Sequence, residues 1–92
     1  MRSALDRELL SLGITAQQWG VLTYFWRQPE LTPSALAEGM EITRPAATRH
    51  LDRLQELGLV ERTKSEHDGR SVAVRLTGEG TRVLGDAARA VE

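Results

Sequence analysis

The stretch Ile42–Gly58, ITRPAATRHLDRLQELG, predicts a helix over residues 44–57. Thr43 is a residue type that caps helix N-termini, because its hydroxyl can accept a hydrogen bond from a free backbone N–H. Pro45 suits the first helical turn, where a missing N–H leaves no hydrogen bond unmade. Gly58 is the usual residue just beyond a helix C-terminus. The helix therefore has a start signal and a stop signal.

This helix has two chemically different faces. At about 100° per residue, Ala47, Leu51 and Leu54 fall within roughly 60° of one another and form the predicted buried face. Arginine pairs with guanine, threonine bonds to several bases, and small apolar groups meet the thymine methyl. The N-terminal half is therefore predicted to enter a DNA major groove. Its outward side carries Arg44, Pro45, Ala46, Thr48 and Arg49.

A second interpretation of the same helix stays open. It is also the pattern of an ordinary amphipathic surface helix, in which Arg49 would pair with Asp52 and Arg53 with Glu56. The sequence of this helix alone does not distinguish a DNA-binding helix from an ordinary surface helix, so the other elements of the chain are needed.

The composition limits the kind of protein. A chain of 92 residues is expected to form one small domain, residues 1–92. It contains no cysteine, which excludes disulfides, thiolate metal sites and a cysteine nucleophile. No apolar run approaches the roughly 18 residues of a membrane span, and no signal peptide precedes the first helix pattern. We therefore expect a cytoplasmic protein without membrane contact.

The net charge of −1 argues mildly against a nucleic-acid partner, since a basic domain is the usual electrostatic footprint. The charge is unevenly distributed, however. Residues 44–75 hold seven Arg and Lys against five Asp and Glu, whereas the other 60 residues hold five against eight. The basic excess therefore coincides with the candidate DNA-reading helix.

Three shorter helices are predicted upstream, over residues 4–12, 16–28 and 33–40. Thr15 and Thr32 supply the caps of the second and third. Only a few residues separate the third helix from the one at residues 44–57. Two helices joined by so tight a turn, the second with polar N-terminal side chains, predict a helix-turn-helix.

Two alternating stretches follow, residues 61–64 and 72–76, which predict a β-hairpin. Asp68–Gly69 between them is a strong turn signal, and Arg70 lies at the tip. Leu31 is a candidate third strand. Thr77 is expected to cap a last helix over residues 78–91, which its three glycines, Gly78, Gly80 and Gly85, should weaken. The predicted fold is α+β, mostly α: a winged helix-turn-helix with a two- to three-stranded antiparallel wing.

Two tryptophans, Trp19 and Trp26, lie one heptad apart at the edge of the apolar arc of the second helix. One interpretation is that they pack against the first helix and its neighbours. The other is that they line an apolar ligand pocket or an oligomer interface.

The order and spacing of several blocks resemble the multiple antibiotic resistance regulators, the MarR family. The resemblance runs from about Gly13 to Gly80 and is carried by ITAQQWGVL, LTPSALAEGM, TRPAATRHLDRLQELGLVERTKSEHDGR and VRLTGEG. It implies a sequence-specific transcriptional regulator, commonly a repressor, that works as a homodimer on double-stranded DNA.

The resemblance also implies roles for individual residues. Arg49 matches the DNA-contacting arginine of the family's recognition helix, and Arg70 matches the wing arginine that enters the minor groove. Arg62 and Asp68 match the base and acid that brace the wing. Trp19 and Tyr24, with Trp26 nearby, fall in the region where relatives bind apolar effectors or contact a partner subunit.

Two departures from the family pattern stand out. Relatives usually carry longer terminal helices that form the dimerisation domain, whereas this sequence has a short stretch before Gly13 and one helix after Leu76. Gly69 also replaces a residue that is often basic, which predicts fewer phosphate contacts.

The resulting hypothesis is that two elements, a helix and the wing, bind one DNA duplex together. Helix 44–57 would enter the major groove and wing residues 65–71 the minor groove, where an arginine favours AT-rich sequence through shape. The predicted phosphate contacts are Thr43, Lys64 and Arg53.

The alternative from another class is a winged helix that only contacts protein, which the negative net charge and the tryptophans favour. An enzyme is not expected, because the serines, carboxylates and histidines form no catalytic constellation. We also expect no cofactor and no metal, since His50 and His67 lack neighbouring ligands at metal-binding spacing.

Overall fold

The computed structural model of the chain describes residues 7, 10, 11, 13–64 and 72–90, with side chains described as far as Asp86. It is a winged helix-turn-helix, as predicted. The elements, in chain order, are α1 (Ala16–Thr23), a 3-10 turn (Tyr24–Trp26), β1 (Glu30–Leu31), α2 (Pro33–Met40), α3 (Arg44–Glu56), β2 (Val60–Lys64), β3 (Val72–Leu76) and α4 (Gly78–Ala90). The helix predicted at residues 4–12 lies outside the described residues except for Arg7, Leu10 and Ser11, which are helical.

Threonine caps begin the first three of these helices, as the sequence predicts. The hydroxyls of Thr15, Thr32 and Thr43 each accept a hydrogen bond from the backbone N–H three residues later, at 3.1, 3.1 and 3.2 Å. At Thr15 the side chain of Gln18 returns a bond to the threonine N–H at 3.0 Å, which completes a capping box. The capping chemistry therefore sets where each helix begins.

The predicted end of the second helix, Gln28, is wrong. The α-helix stops at Thr23 and continues as the 3-10 turn Tyr24–Trp26. The Thr23 hydroxyl donates to the Gly20 carbonyl at 2.6 Å, and a side chain that competes for a helix carbonyl in this way favours departure from α-geometry. Pro29 also biases the residue before it towards extended backbone.

The three strands form one antiparallel sheet in the order β1–β3–β2. β1 pairs with β3 through Glu30 opposite Arg75 and Leu31 opposite Val74, which confirms the predicted third strand. β2 pairs with β3 along its whole length, from Val60 opposite Leu76 to Lys64 opposite Val72. Hairpin residues 65–71, including the predicted turn, lie outside the described residues.

Strict alternation along β3 was predicted and is wrong. Val72 is exposed, whereas Ala73 and Val74 are both fully buried. Val72 lies opposite Lys64 at the wing end of the hairpin, beyond the part of β3 that pairs with β1. Its side chain therefore has no core to reach.

The hydrophobic core joins all the helices to the sheet. Its largest fully buried side chains are Val21, Leu22, Leu36, Leu51, Leu54, Val60, Val74 and Val83. Burial of an aliphatic side chain contributes about 1.5–3 kcal/mol. No helix among the described residues is both long and apolar enough to span a bilayer.

Candidate nucleic-acid interface

The orientation of α3 is fixed by the face that the sequence marks as apolar. Ala47, Leu51 and Leu54 are each 0% exposed and belong to the core. The helix packs against α2 and α1, and its C-terminal half reaches β2. His50 is half-buried.

The opposite side of the first turns faces solvent. Thr43, Arg44, Pro45 and Arg49 are exposed, whereas Ala46 and Thr48 are half-buried. Thr43 also caps the helix, so its hydroxyl is partly used inside the protein. The predicted base-reading residues therefore share one surface, although Thr48 is less accessible than Arg49.

Arg44 and Arg49 form no ion pair with any residue that the structure describes. This distinguishes α3 from the surface-helix interpretation, in which Arg49 pairs with Asp52. Asp52 instead binds Arg62 of β2, with Nη2 and Oδ1 2.7 Å apart. The two guanidinium groups at the start of α3 can therefore bind an external anion without first breaking an internal pair.

Arg62 links the sheet to α3. Besides Asp52, its guanidinium donates a short hydrogen bond to the Gln55 side-chain oxygen. Its side chain is 26% exposed, against 54% for Asp52. Asp52 and Gln55 are three residues apart and thus share one side of α3. The spacing places the two acceptors side by side, but only the fold brings Arg62 to them.

The candidate phosphate contacts differ from one another. Lys64 is exposed at the end of β2, without an ion-pair partner among the described residues. Arg53 pairs with Glu56 at 3.3 Å, as the surface-helix interpretation expects. This pair is exposed, so its net contribution to stability is about 0–1 kcal/mol.

The wing tip lies outside the described residues. This holds for Arg70, the candidate minor-groove residue, for Asp68, the candidate brace, and for His67. Their roles remain predictions. The described strands that lead to the tip end at Lys64 and begin again at Val72.

Of the three candidate effector-contact aromatic residues, Trp19 lies in α1, and Tyr24 and Trp26 lie in the 3-10 turn that follows it. Trp19 and Tyr24 are half-buried against the core, and Trp26 is 59% exposed. Tyr24 and Trp26 line an open cleft of about 530 Å³ with Thr23 and Arg27. Trp19 lines neither this cleft nor its neighbour.

The neighbouring cleft, of about 510 Å³, lies between the 3-10 turn, β3 and α4. It is mainly apolar, and Arg75 at its side is bound to Glu30 at 2.7 Å. Among the described residues, it is lined by Phe25, Trp26, Pro29, Arg75, Leu76, Thr81, Leu84 and Gly85. Across the described part of the chain, no cluster of three or more His, Asp or Glu side chains is arranged to hold a metal.

A helix-turn-helix followed by an antiparallel hairpin defines the winged-helix class. Within this class, the sequence profile of the MarR family matches residues 12–71. The chain belongs to the MarR family.

Individual relatives agree with this assignment. The HTH-type transcriptional regulator FarR of Neisseria gonorrhoeae is 35% identical over 79 residues, 86% of this chain and 54% of FarR. A cysteine-to-serine mutant of MarR from E. coli, crystallised with operator DNA, superposes with a TM-score of 0.83 at 35% identity, covering 96% of this chain and 63% of that one. The MepR–DNA complex of S. aureus has a TM-score of 0.88 at 25% identity, covering 95% and 66%.

The match is to part of each relative. The chain spans about half the length of the curated regulators it matches, from 42% to 54%. The similarity therefore concerns the winged-helix portion of those proteins.

Proposed function

We propose that this chain is a sequence-specific DNA-binding transcriptional regulator, acting as a repressor in the cytoplasm. The first turns of α3, within predicted helix 44–57, bind the major groove, and wing residues 65–71 bind the minor groove. The observation that carries the proposal is the exposure of Arg44 and Arg49 at the helix start, without an ion-pair partner among the described residues. The MarR and MepR structures solved with DNA support it by similarity.

The roles proposed for single residues follow from where they lie. Arg44, Thr48 and Arg49, with Pro45 and Ala46 between them, contact base edges. Thr43, Lys64 and Arg53 contact phosphates, Arg53 after releasing Glu56. Arg70 enters the minor groove, and Arg62 and Asp68 support the wing.

Direct binding measurements test the proposal. A duplex selected from a random pool and a scrambled duplex of equal length are titrated with the chain from about 50 to about 200 mM salt. We expect tighter binding to the selected duplex and a steep loss of affinity with salt, because bound cationic side chains release counterions. Equal, salt-insensitive or undetectable binding to both duplexes would contradict the proposal. Repression itself is tested with a reporter carrying the selected duplex in its promoter.

Homodimerisation is part of the same proposal and follows from the family resemblance. In a dimer the two α3 helices would meet half-sites about 34–36 Å apart, one turn of the duplex. The mass of the chain in solution, with and without the selected duplex, tests this. A mass of one chain per duplex would contradict it.

A small apolar effector is also proposed, bound near Tyr24 and Trp26. The cleft of about 530 Å³ that they line is within the size range of small-molecule sites, about 300–1,000 Å³. Trp19 is half-buried outside this cleft, so it would respond only indirectly. Titrating substituted phenols while following tryptophan fluorescence tests the site, with Trp26→Phe identifying the responding residue.

A module that contacts only protein is the second candidate function. The exposed Trp26 favours it, because large exposed aromatic groups often mark contact surfaces. The salt titration separates the two, since a contact module has no reason to bind DNA in a salt-dependent way.

A further inference from the structure

The chain passes from α3 into the wing hairpin through a glycine, Gly58. Gly58 follows α3 with φ +76°, and its N–H bonds to the Gln55 carbonyl at 2.9 Å. The Leu59 N–H bonds to the Leu54 carbonyl at 2.9 Å, which completes the glycine-terminated helix end. β2 begins one residue later. Because glycine is conformationally permissive, rotation at Gly58 would tilt the hairpin relative to α3.

Thr77 restrains this glycine from the far end of the hairpin. Its hydroxyl donates to the Gly58 carbonyl at 2.6 Å, and its backbone N–H donates to the Leu59 carbonyl at 3.0 Å. Two successive carbonyls at the turn are therefore held by one residue. The hydroxyl oxygen also accepts a hydrogen bond from the Gly80 N–H at 3.0 Å and so caps α4.

Gly80 lets α4 approach the same turn. A Cβ atom at this position would overlap the carbonyl oxygen and carbon of Leu59, which are backbone atoms and cannot rotate away. Gly80 is buried, and the Leu59 carbonyl group occupies the space that a side chain would need. The first turn of α4 thus lies directly on the turn that follows α3.

We propose that Thr77 is a positioning residue for DNA binding: its hydroxyl bond to the Gly58 carbonyl sets the angle between α3 and the hairpin. The proposal rests on the proposed function, because that angle matters for binding only if both elements grip one duplex. Thr77 itself contacts no DNA in this scheme. It acts through the orientation of α3 relative to the strands β2 and β3.

Substitutions of Thr77 can remove its hydrogen bond to the Gly58 carbonyl while keeping the hydrogen bond that caps α4. In Thr77→Asp the carboxylate still accepts from the Gly80 N–H but cannot donate to the Gly58 carbonyl. Thr81→Asp is the matched control, since it adds the same charge one turn further along α4 and leaves both bonds of the Thr77 hydroxyl intact. It removes the bond from the Thr81 hydroxyl to the Thr77 carbonyl, which still accepts from the Thr81 N–H at 3.0 Å. Thr77→Ser keeps both bonds and should restore the behaviour of the parent.

Two readouts are needed. Residual dipolar couplings measure the angle between α3 and the β2–β3 strands without DNA. Binding to the selected duplex measures its consequence. We expect Thr77→Asp to change the angle and to bind about fivefold more weakly than Thr81→Asp, the equivalent of one lost hydrogen bond. Loss of overall stability alone would leave the couplings of the folded fraction unchanged.

The outcomes are distinguishable. If Thr77→Asp gives the same couplings and the same affinity as Thr81→Asp, the proposal is overturned. If the parent binds no DNA, the proposed function fails, and the couplings alone decide whether Thr77 sets the angle. Should the aspartate unfold the chain, Thr77→Val is compared with Thr81→Val by the same two measurements.

Discussion

Arg62 on β2 binds Asp52 on α3, with 2.7 Å between Nη2 and Oδ1. The pair joins the element that leads into the wing to the side of the helix that follows the candidate base-reading residues. It also neutralises a carboxylate that would repel phosphate. This ion pair therefore connects the two elements that are proposed to bind DNA, and its coupling free energy can be measured.

A double-mutant cycle on this pair should give a small favourable coupling. With Asp52→Asn, Arg62→Gln and the double variant, we expect about 0.2–1 kcal/mol in urea unfolding, because Asp52 is largely exposed to water. The coupling should shrink as salt is added. Purely additive effects of the two substitutions would show that the pair contributes nothing.

The cap of α3 should matter for binding as well as for folding. Thr43→Ala is expected to lower the free energy of unfolding by about 1 kcal/mol, the usual cost of removing an N-cap. Thr32→Ala, which removes the equivalent cap of α2, is the matched control. Both should unfold at similarly reduced urea concentrations, but Thr43→Ala should bind DNA more weakly than Thr32→Ala. If Thr43→Ala and Thr32→Ala bind DNA with equal affinity, Thr43 does not contact DNA.

Two glycines of α4 should respond in opposite ways to alanine. Gly80→Ala should destabilise the protein by about 1–3 kcal/mol, because its methyl group would overlap the Leu59 backbone. Gly78→Ala has no atom near its Cβ position and should be neutral or stabilising by up to about 1 kcal/mol. Thermal unfolding of the two variants beside the parent measures both. A Gly80→Ala variant as stable as Gly78→Ala would mean that α4 does not lie against Leu59.

The charge of Lys64 should strengthen DNA binding equally for all DNA sequences. Lys64→Ala is expected to weaken binding to selected and scrambled duplexes alike and to reduce the slope of log affinity against log salt by about one. Salt titrations of both duplexes measure this. A loss confined to the selected duplex would instead assign Lys64 a role in base recognition.

The helix starts and the strands were predictable because their signals are local. Thr43 and Pro45 fix the start of α3 through the hydrogen bonds of one turn. Leu31 was predicted as a third strand and pairs with Val74. The end of α1 was not predicted, since it depends on the Thr23 hydroxyl bonding to Gly20. Local sequence signals therefore predict where a helix begins better than where it departs from α-helical geometry.

The contacts between elements were harder to predict. Gly80 was expected only to weaken α4, whereas in three dimensions it allows the helix to lie against Leu59. Arg62 was assigned to the wing by resemblance, and its partners Asp52 and Gln55 on α3 became apparent only from the fold. Such pairs join residues whose proximity the sequence does not encode locally. The wing residues Asp68 and Arg70 lie outside the described residues, so their roles stay predictions.

The most direct test of the central claim is to measure how tightly the variants Arg49→Ala and Arg70→Ala bind the selected duplex. Arg27→Ala is the control, since Arg27 is an exposed arginine outside the helix-turn-helix and the wing. The account predicts that Arg49→Ala loses about 1–3 kcal/mol with relaxed base preference, that Arg70→Ala also binds more weakly, and that Arg27→Ala binds like the parent. If all three variants bind as tightly as the parent, the chain does not grip DNA with α3 and the wing.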